Sequence, residues 1–206
     1  MTKDDEQNQY SGGLWPRLAR EAGAALYTDL KGNLIELGCG EGLFLELMAQ
    51  KNPGATVHGI DFRSLIIDVA KERLLPKFKN IKLYTGNALT TQLEGQLFDY
   101  TYCMNTVLNL PSVDDIRSLF LEAHRITKPG GKFIFDIRNS WSPIIQAQYR
   151  LVRFYDTGIT VPVRYYTKNF IARLVSECGF EVLETKYIGF PENMFAPIVL
   201  FVARKR

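Results

Sequence analysis

The sequence is poor in cysteine and histidine and has no long apolar run. Its three cysteines, Cys39, Cys103 and Cys178, are widely spaced in apolar or glycine-rich surroundings, so neither a disulfide framework nor a metal site is expected. The longest apolar stretch, 195–203, is too short to cross a bilayer, and the polar, acidic residues 1–9 do not resemble a signal peptide. These features predict a cytoplasmic protein with no membrane segment.

The sequence also has only a small excess of positive charge. With 25 basic and 22 acidic side chains the net charge is +3, too small an excess to indicate a nucleic-acid-binding surface. The locally basic stretches 71–82 and 204–206 are expected to be solvated surface. The 206 residues fit a single domain over 1–206, with a flexible start at 1–12.

What the sequence does contain is a regular alternation of apolar strands and amphipathic helices. Helical spacing and stop signals predict helices at 14–30, 43–51, 64–75, 113–127 and 167–178, and short apolar runs predict strands at 33–37, 56–61, 81–84, 98–104, 132–137, 180–188 and 198–204. Such alternation indicates parallel strands with right-handed crossovers. We expect a doubly wound, Rossmann-like, mostly parallel seven-stranded sheet with an antiparallel C-terminal edge and helices on both faces.

One segment, 139–166, breaks this rhythm. It shows no clean helical pattern, and 149–155 and 159–166 are predicted to pair as a hairpin across the turn at 156–158. We interpret the segment as an insertion and a candidate substrate lid. The alternative is a hairpin that packs its tyrosines on the domain and solvates its arginines.

The stretch 33–42 organises the rest of the chain. A short apolar strand ends in three glycines, Gly38, Gly40 and Gly42, spaced one residue apart, and an amphipathic helix follows at once. Glycines allow a ligand to approach the backbone, and the unpaired N–H groups at a helix start face that ligand. The stretch therefore predicts a site for a small polar molecule.

Two further strand ends add polar groups, because ligands of open α/β sheets bind outside the carboxyl ends of the strands. Asp61 ends the second strand, where a carboxylate can accept hydrogen bonds from a ribose diol, although it could instead cap the helix that starts at Ser64. Asn87 and Ala88 follow the third strand and could contact an adenine edge, although Asn87 could instead be a turn residue.

Together these segments resemble the class I S-adenosylmethionine-dependent methyltransferases. Residues 34–42 (Leu-Ile-Glu-Leu-Gly-Cys-Gly-Glu-Gly) look like that family's first motif, 59–61 its acidic second motif, 98–100 its fourth-strand motif and 125–131 its turn before strand five. The departure is Asn87, where the family usually carries an aspartate.

The resemblance implies S-adenosylmethionine as cofactor and a small molecule as methyl acceptor. It assigns Glu36 to the glycine loop and the cofactor's amino-acid end, and Asn105 to the floor of the pocket. The cofactor-binding residues it implies are Glu36, Gly38, Cys39, Gly40, Asp61, Phe62, Asn87, Ala88 and Asn105. Candidate substrate-binding residues are Asn109, Arg138, Tyr149, Arg153, Tyr165 and Tyr166.

Methyl transfer from a sulfonium is an in-line displacement in which alignment and exclusion of water supply most of the acceleration. The sequence shows no clear general base. His58 lies inside a strand and His124 inside a helix, so we interpret both as structural. The catalytic residues, the acceptor and the methylated atom stay open.

Two other functions are compatible with part of the sequence. A nicotinamide-dependent oxidoreductase would need a two-residue gap before its last glycine, whereas only one residue separates Gly40 from Gly42. Its Tyr-x-x-x-Lys pair would need a spacing of four, whereas Tyr165 and Lys168 are three apart. A non-catalytic, cofactor-binding module with the same fold is the other alternative.

Overall fold

The computed structural model describes residues 13–155 and 164–206, and its strands form one seven-stranded sheet. The strands are β1 (Gly32–Leu37), β2 (Ala55–Asp61), β3 (Ile81–Thr85), β4 (Phe98–Cys103), β5 (Thr127–Arg138), β6 (Phe180–Ile188) and β7 (Ile198–Lys205). Their order in the sheet is β3-β2-β1-β4-β5-β7-β6. The first five pair in parallel, and β7 is antiparallel to both β5 and β6. The predicted fold class is confirmed.

Helices cover both faces of this sheet. They are α1 (Leu14–Ala25), α2 (Leu43–Lys51), α3 (Ser64–Leu74), α4 (Val113–Ile126), α5 (Pro143–Tyr155) and α6 (Lys168–Glu177), with a short 3-10 helix at Val107–Asn109. Apolar side chains of α1, α2 and α3 share one core layer, and those of α4 and α6 share the other. In the described ranges no helix is long and apolar enough to span a membrane.

The strand order places a switch point between β1 and β4. From β1 the chain proceeds outward through β2 and β3, whereas from β4 it proceeds in the opposite direction through β5. The loops after β1 and β4 therefore leave the sheet on opposite faces and open a crevice between them at the carboxyl ends of the strands. A ligand site is expected in this crevice.

The predicted hairpin over 149–166 is wrong in its first half, because Pro143–Tyr155 is a helix. Ser142 starts it, with its carbonyl accepting from Gln146 N at 3.0 Å, and Pro143 occupies the first turn, where no N–H is required. Ile145, Tyr149 and Val152 recur at helical spacing. The β-branched and aromatic composition suggested a strand, but the helix start and this periodicity decide the structure.

Other differences concern the ends of elements. Helix α1 ends at Ala25, five residues before the predicted end, because 26–31 form a connection in which Asp29 has a left-handed φ of 56° and Leu30 N donates to Asn52 Oδ1 at 2.9 Å. Strand β5 starts at Thr127, which pairs with Phe98 of β4. The predicted flexible start at 1–12 and the second half of the predicted hairpin as far as residue 163 lie outside the described residues.

Gly42 joins the glycine loop to α2 and should be sensitive to substitution. Its φ is 77°, and an added Cβ would lie 2.6 Å from Cδ1 of Leu74, which is fully buried. We expect Gly42→Ala to lower the free energy of unfolding by about 3 kcal/mol, from backbone strain and overpacking together. Gly130 has a similar φ of 75° with open space around its Cβ position, so Gly130→Ala should cost only about 1 kcal/mol. Equal losses in urea denaturation would contradict this account.

Candidate functional site

A cleft of about 490 Å³ lies at the carboxyl ends of the parallel strands, at the switch point. All nine residues implied as cofactor-binding line it, and so does Asn109 of the substrate candidates. They come from the ends of β1, β2, β3 and β4, which are far apart in sequence. Parallel pairing of adjacent strands brings them together.

The glycine loop after β1 forms one wall of the cleft. Gly38 N and Cys39 N both donate to the Ile60 carbonyl of β2, at 2.9 and 3.0 Å. Gly38 has a φ of 77°, and an added Cβ would lie 2.5 Å from Oγ1 of Thr106, so this glycine permits close packing with the loop after β4. Gly40, with a φ of 53°, instead has almost open space at its Cβ position. Gly40 is thus the glycine that leaves room for a ligand against the backbone.

Glu36, near the end of β1, is buried to 3% exposure and lines the cleft. Its Oε2 has no hydrogen-bond partner among the described residues. Burial raises the pKa of this carboxyl well above its usual value, and the positive charge of Arg20 on α1 acts in the opposite direction. A buried carboxylate oxygen without a donor is costly, so the cleft is prepared for a ligand that supplies one.

Asp61, at the end of β2, has two sets of contacts. Its Oδ2 accepts from Gly40 N at 3.0 Å, and its Oδ1 accepts from Arg63 N at 3.0 Å and from Arg63 Nε at 3.3 Å. Arg63 is the residue immediately before α3, so Asp61 does stabilise the entry to that helix. It also holds the glycine loop and lines the cleft, and a carboxylate keeps further lone pairs for a ligand.

The end of β3 and the residue after Asp61 complete the far side of the cleft. Asn87 Oδ1 accepts from Leu89 N at 2.9 Å, which is a turn contact, while the residue also lines the cleft with Ala88. Phe62 is 73% exposed and presents an aromatic ring at the same end. An exposed ring beside backbone and amide groups is suited to a flat heterocycle.

Asn105, after β4, forms the floor through its own hydrogen bonds. It has a left-handed φ of 56°, and its N–H donates to Asp136 Oδ1 at 2.6 Å. Its side chain accepts from Arg138 at 2.8 Å and donates to the Pro16 carbonyl of α1 at 3.1 Å. The amide therefore connects β5 to the N-terminal helix beneath the cleft.

Three of the substrate candidates, Arg138, Tyr165 and Tyr166, lie outside the cleft lining. Arg138 is 2% exposed and pairs with Asp136 at 2.7 Å, so it supports the floor. Tyr165 is 45% exposed, and Tyr166 is half-buried and stacks on Phe170. Asn109 donates to the Asn105 carbonyl at 3.0 Å. The side chains of Tyr149 and Arg153 lie outside the described part of the structure.

Neither histidine lines the cleft. His58 contacts the Tyr84 hydroxyl at 3.0 Å, and burial together with Lys82 lowers its pKa to about 4. His124 packs edge-on against Phe180. Both contacts are those of structural side chains.

Several lining residues carry no recognisable sequence signal. The clearest is Arg20, which is half-buried on α1 and faces Glu36 from a separate element. Nothing local in α1 marks this position, since the contact depends on how the helix packs across the sheet. The remaining lining residues that were not named individually as candidates are Glu41, Leu43, Phe44, Arg63, Ile66, Val69, Leu89, Met104, Thr106, Leu110, Pro111 and Leu119.

The fold and the cleft define a Rossmann-like protein built to hold a nucleotide-type cofactor at the carboxyl ends of its strands. Residues 34–131 match the family model of a methyltransferase domain. This match covers just under half of the chain, and the fold of the described residues is that of the class I S-adenosylmethionine-dependent methyltransferases.

Individual relatives agree with this family. A ubiquinone biosynthesis O-methyltransferase from Thiobacillus denitrificans is 28% identical over 158 residues, which cover 73% of this chain and 65% of that protein. One from Coxiella burnetii is 32% identical over 111 residues, 53% of this chain and 45% of that protein. The chain therefore spans less than two thirds of these relatives.

A solved structure extends the similarity in fold to nearly the full chain. A methyltransferase from Thermotoga maritima, a possible histamine N-methyltransferase, superposes with a TM-score of 0.70 at 19% identity over 98% of this chain and 95% of that one.

The buried pair beneath the floor gives a test of the site's construction. We expect Arg138→Gln to destabilise the protein by about 3 kcal/mol, because Asp136 would keep a buried charge without its partner. Burial already raises the pKa of Asp136, with Arg138 opposing. A carboxyl with a raised pKa in the folded state loses its proton on unfolding, so the variant's stability should fall as pH rises from about 5 to about 8.

The matched control is Arg204→Gln, which removes an exposed partner of Glu181. That change should cost less than about 1 kcal/mol. Urea unfolding at both pH values measures the two variants, and an equal, pH-independent loss in both would show that the buried pair has no special role.

Proposed function

We propose that this chain binds S-adenosylmethionine in the cleft and transfers its methyl group to a hydroxyl oxygen of a small-molecule acceptor. The observation that carries the proposal is the buried Glu36 Oε2, which has no donor among the described residues and belongs to the same cleft lining as Gly40. The ammonium group of the cofactor's amino-acid end would supply that donor. The O-methyltransferases among the relatives support oxygen as the methylated atom.

The residues present fit the whole cofactor. Arg20 would complement its carboxylate, next to Glu36 for its ammonium group. Asp61 would accept hydrogen bonds from the ribose hydroxyls, and Asn87 would contact adenine beside the ring of Phe62. Asn87 keeps the carbonyl acceptor that an aspartate would offer and adds a donor, at the loss of the negative charge.

Catalysis would depend on position more than on proton transfer. The bound cofactor supplies an activated methyl group on a good leaving group. The titratable groups in the described lining are Arg20, Glu36, Cys39, Glu41, Asp61 and Arg63, and the carboxylates are assigned to the cofactor or to ion pairs. An acceptor whose own hydroxyl is acidic, such as a phenol, fits this lining best.

A reducing compartment such as the cytoplasm fits three cysteines that are all free and buried.

The pH dependence of cofactor binding tests the role of Glu36. Its raised pKa means that part of the carboxyl population must lose a proton before it can pair with an ammonium group. We expect the affinity for S-adenosylhomocysteine to rise from about pH 5 to about pH 7, below the range where the ligand's own amino group titrates. Glu36→Gln should bind more weakly at the upper pH and lose most of the slope. Calorimetric titration of both proteins measures this, and identical slopes would refute the assignment.

Activity itself is tested with S-adenosylmethionine labelled on its methyl group and a panel of phenols. Transfer of label to an organic-extractable product is expected, with a strong loss in Glu36→Gln. Tight binding of S-adenosylhomocysteine without transfer to any phenol would favour the non-catalytic module. Protection against thermal unfolding by NAD and not by S-adenosylmethionine would favour an oxidoreductase.

A further inference from the structure

Arg164 differs from the other arginines that are buried or half-buried in the described residues. Four of those lie close to a carboxylate, at N–O distances of 3.3 Å for Arg63–Asp61, 3.4 Å for Arg73–Glu46, 2.8 Å for Arg117–Glu177 and 2.7 Å for Arg138–Asp136. The fifth, Arg20, faces Glu36. Arg164 is half-buried and forms no ion pair within 13–155 and 164–206. A partly desolvated guanidinium without a counterion is unfavourable, and an anion would offset that cost.

The backbone around Arg164 is firmly placed against the site. Arg164 N donates to the Leu108 carbonyl at 2.9 Å, and Leu108 belongs to the 3-10 helix whose last residue, Asn109, lines the cleft. Tyr166 N donates to the Arg138 carbonyl at 2.9 Å. The segment therefore crosses the carboxyl ends of β4 and β5.

This position is on the acceptor's side of the proposed cofactor site. Asn87 follows β3, Asp61 ends β2 and Glu36 lies in β1, so the cofactor would extend from adenine to methionine toward β4. The reactive methyl group would then face the ends of β4 and β5. An acceptor must approach from that side, where Arg164 lies.

Polar atoms in this segment also lack partners. Arg164 Nε and the Tyr166 hydroxyl are both buried and make no hydrogen bond in the described structure. Burial raises the pKa of the Tyr166 hydroxyl, and the Arg164 guanidinium opposes that shift through its charge and through a side-chain contact, so the two groups lie next to each other. Two neighbouring groups that can both donate hydrogen bonds suit a planar anion with two acceptor oxygens.

We propose that Arg164, with Tyr166 beside it, forms an anion subsite that selects acceptors carrying a carboxylate. The inference rests on the proposed function, because the bound anion is a methyl acceptor only if the chain transfers methyl groups. The anion site itself can be tested without methyl transfer. It narrows the acceptor class to a small phenolic acid, with the hydroxyl as methyl acceptor and the carboxylate held at Arg164.

The test compares two probes that differ only in charge, 4-hydroxybenzoate and 4-hydroxybenzamide, titrated calorimetrically into the protein saturated with S-adenosylhomocysteine. We expect the carboxylate to bind about tenfold more tightly than the amide, because charge-assisted hydrogen bonds to a guanidinium favour it. Arg164→Gln should remove this preference while the affinity for S-adenosylhomocysteine stays unchanged. Arg164→Lys, which keeps the charge and loses the planar fork, should retain part of it.

The matched control is Arg173→Gln, an exposed arginine on α6, which should leave the preference intact. Equal binding of the two probes to the unaltered protein, no measurable binding of the carboxylate, or an unchanged preference in Arg164→Gln would each overturn the proposal. Failure to bind S-adenosylhomocysteine would instead overturn the proposed function, and the two probes titrated into the ligand-free protein would still report on Arg164.

Discussion

The hydrogen bond from Gly40 N to Asp61 Oδ2, at 3.0 Å, is the contact on which the cleft depends. It joins the turn after β1 to the last residue of β2, and it forms because these strands pair in parallel with Leu37 beside Ile60. Without the left-handed glycines the turn could not bring the Gly40 N–H to this carboxylate. One acid thereby fixes the glycine loop and the entry to α3, and it lies where a ribose would bind.

A second buried network supports the opposite side of the cleft. Asp136, Arg138 and Asn105 form a closed triad of hydrogen bonds, and the Asn105 side chain also donates to the Pro16 carbonyl of α1. This connection explains how a helix outside the sheet places Arg20 next to Glu36. The two networks together position opposite charges at the proposed amino-acid end of the cofactor, and they leave the ends of β4 and β5 open toward Arg164.

A feature was predictable from the sequence when it depends on residues close together along the chain, and it was not when it depends on contacts between distant elements. The strands, the fold class and the convergence of Glu36, Asp61 and Asn87 depend on local periodicity and on the rule that parallel strands end at one edge, so they were predictable. Asn87 makes the turn contact that was one of its two interpretations and also lines the cleft, while its contact with adenine stays a prediction. The helix at 143–155 was missed because β-branched and aromatic residues outweighed its start signal. The position of Arg20 in the cleft and the placement of Arg164 against Leu108 were not predictable, because their neighbours come from elements distant in sequence.

The most direct test of the account is a crystal structure of the complex with S-adenosylhomocysteine. We expect the ligand's amino nitrogen within hydrogen-bond distance of Glu36 Oε2, about 3 Å, and its ribose hydroxyls within hydrogen-bond distance of Asp61. A ligand bound elsewhere, or one that leaves Glu36 Oε2 without a donor, would contradict it.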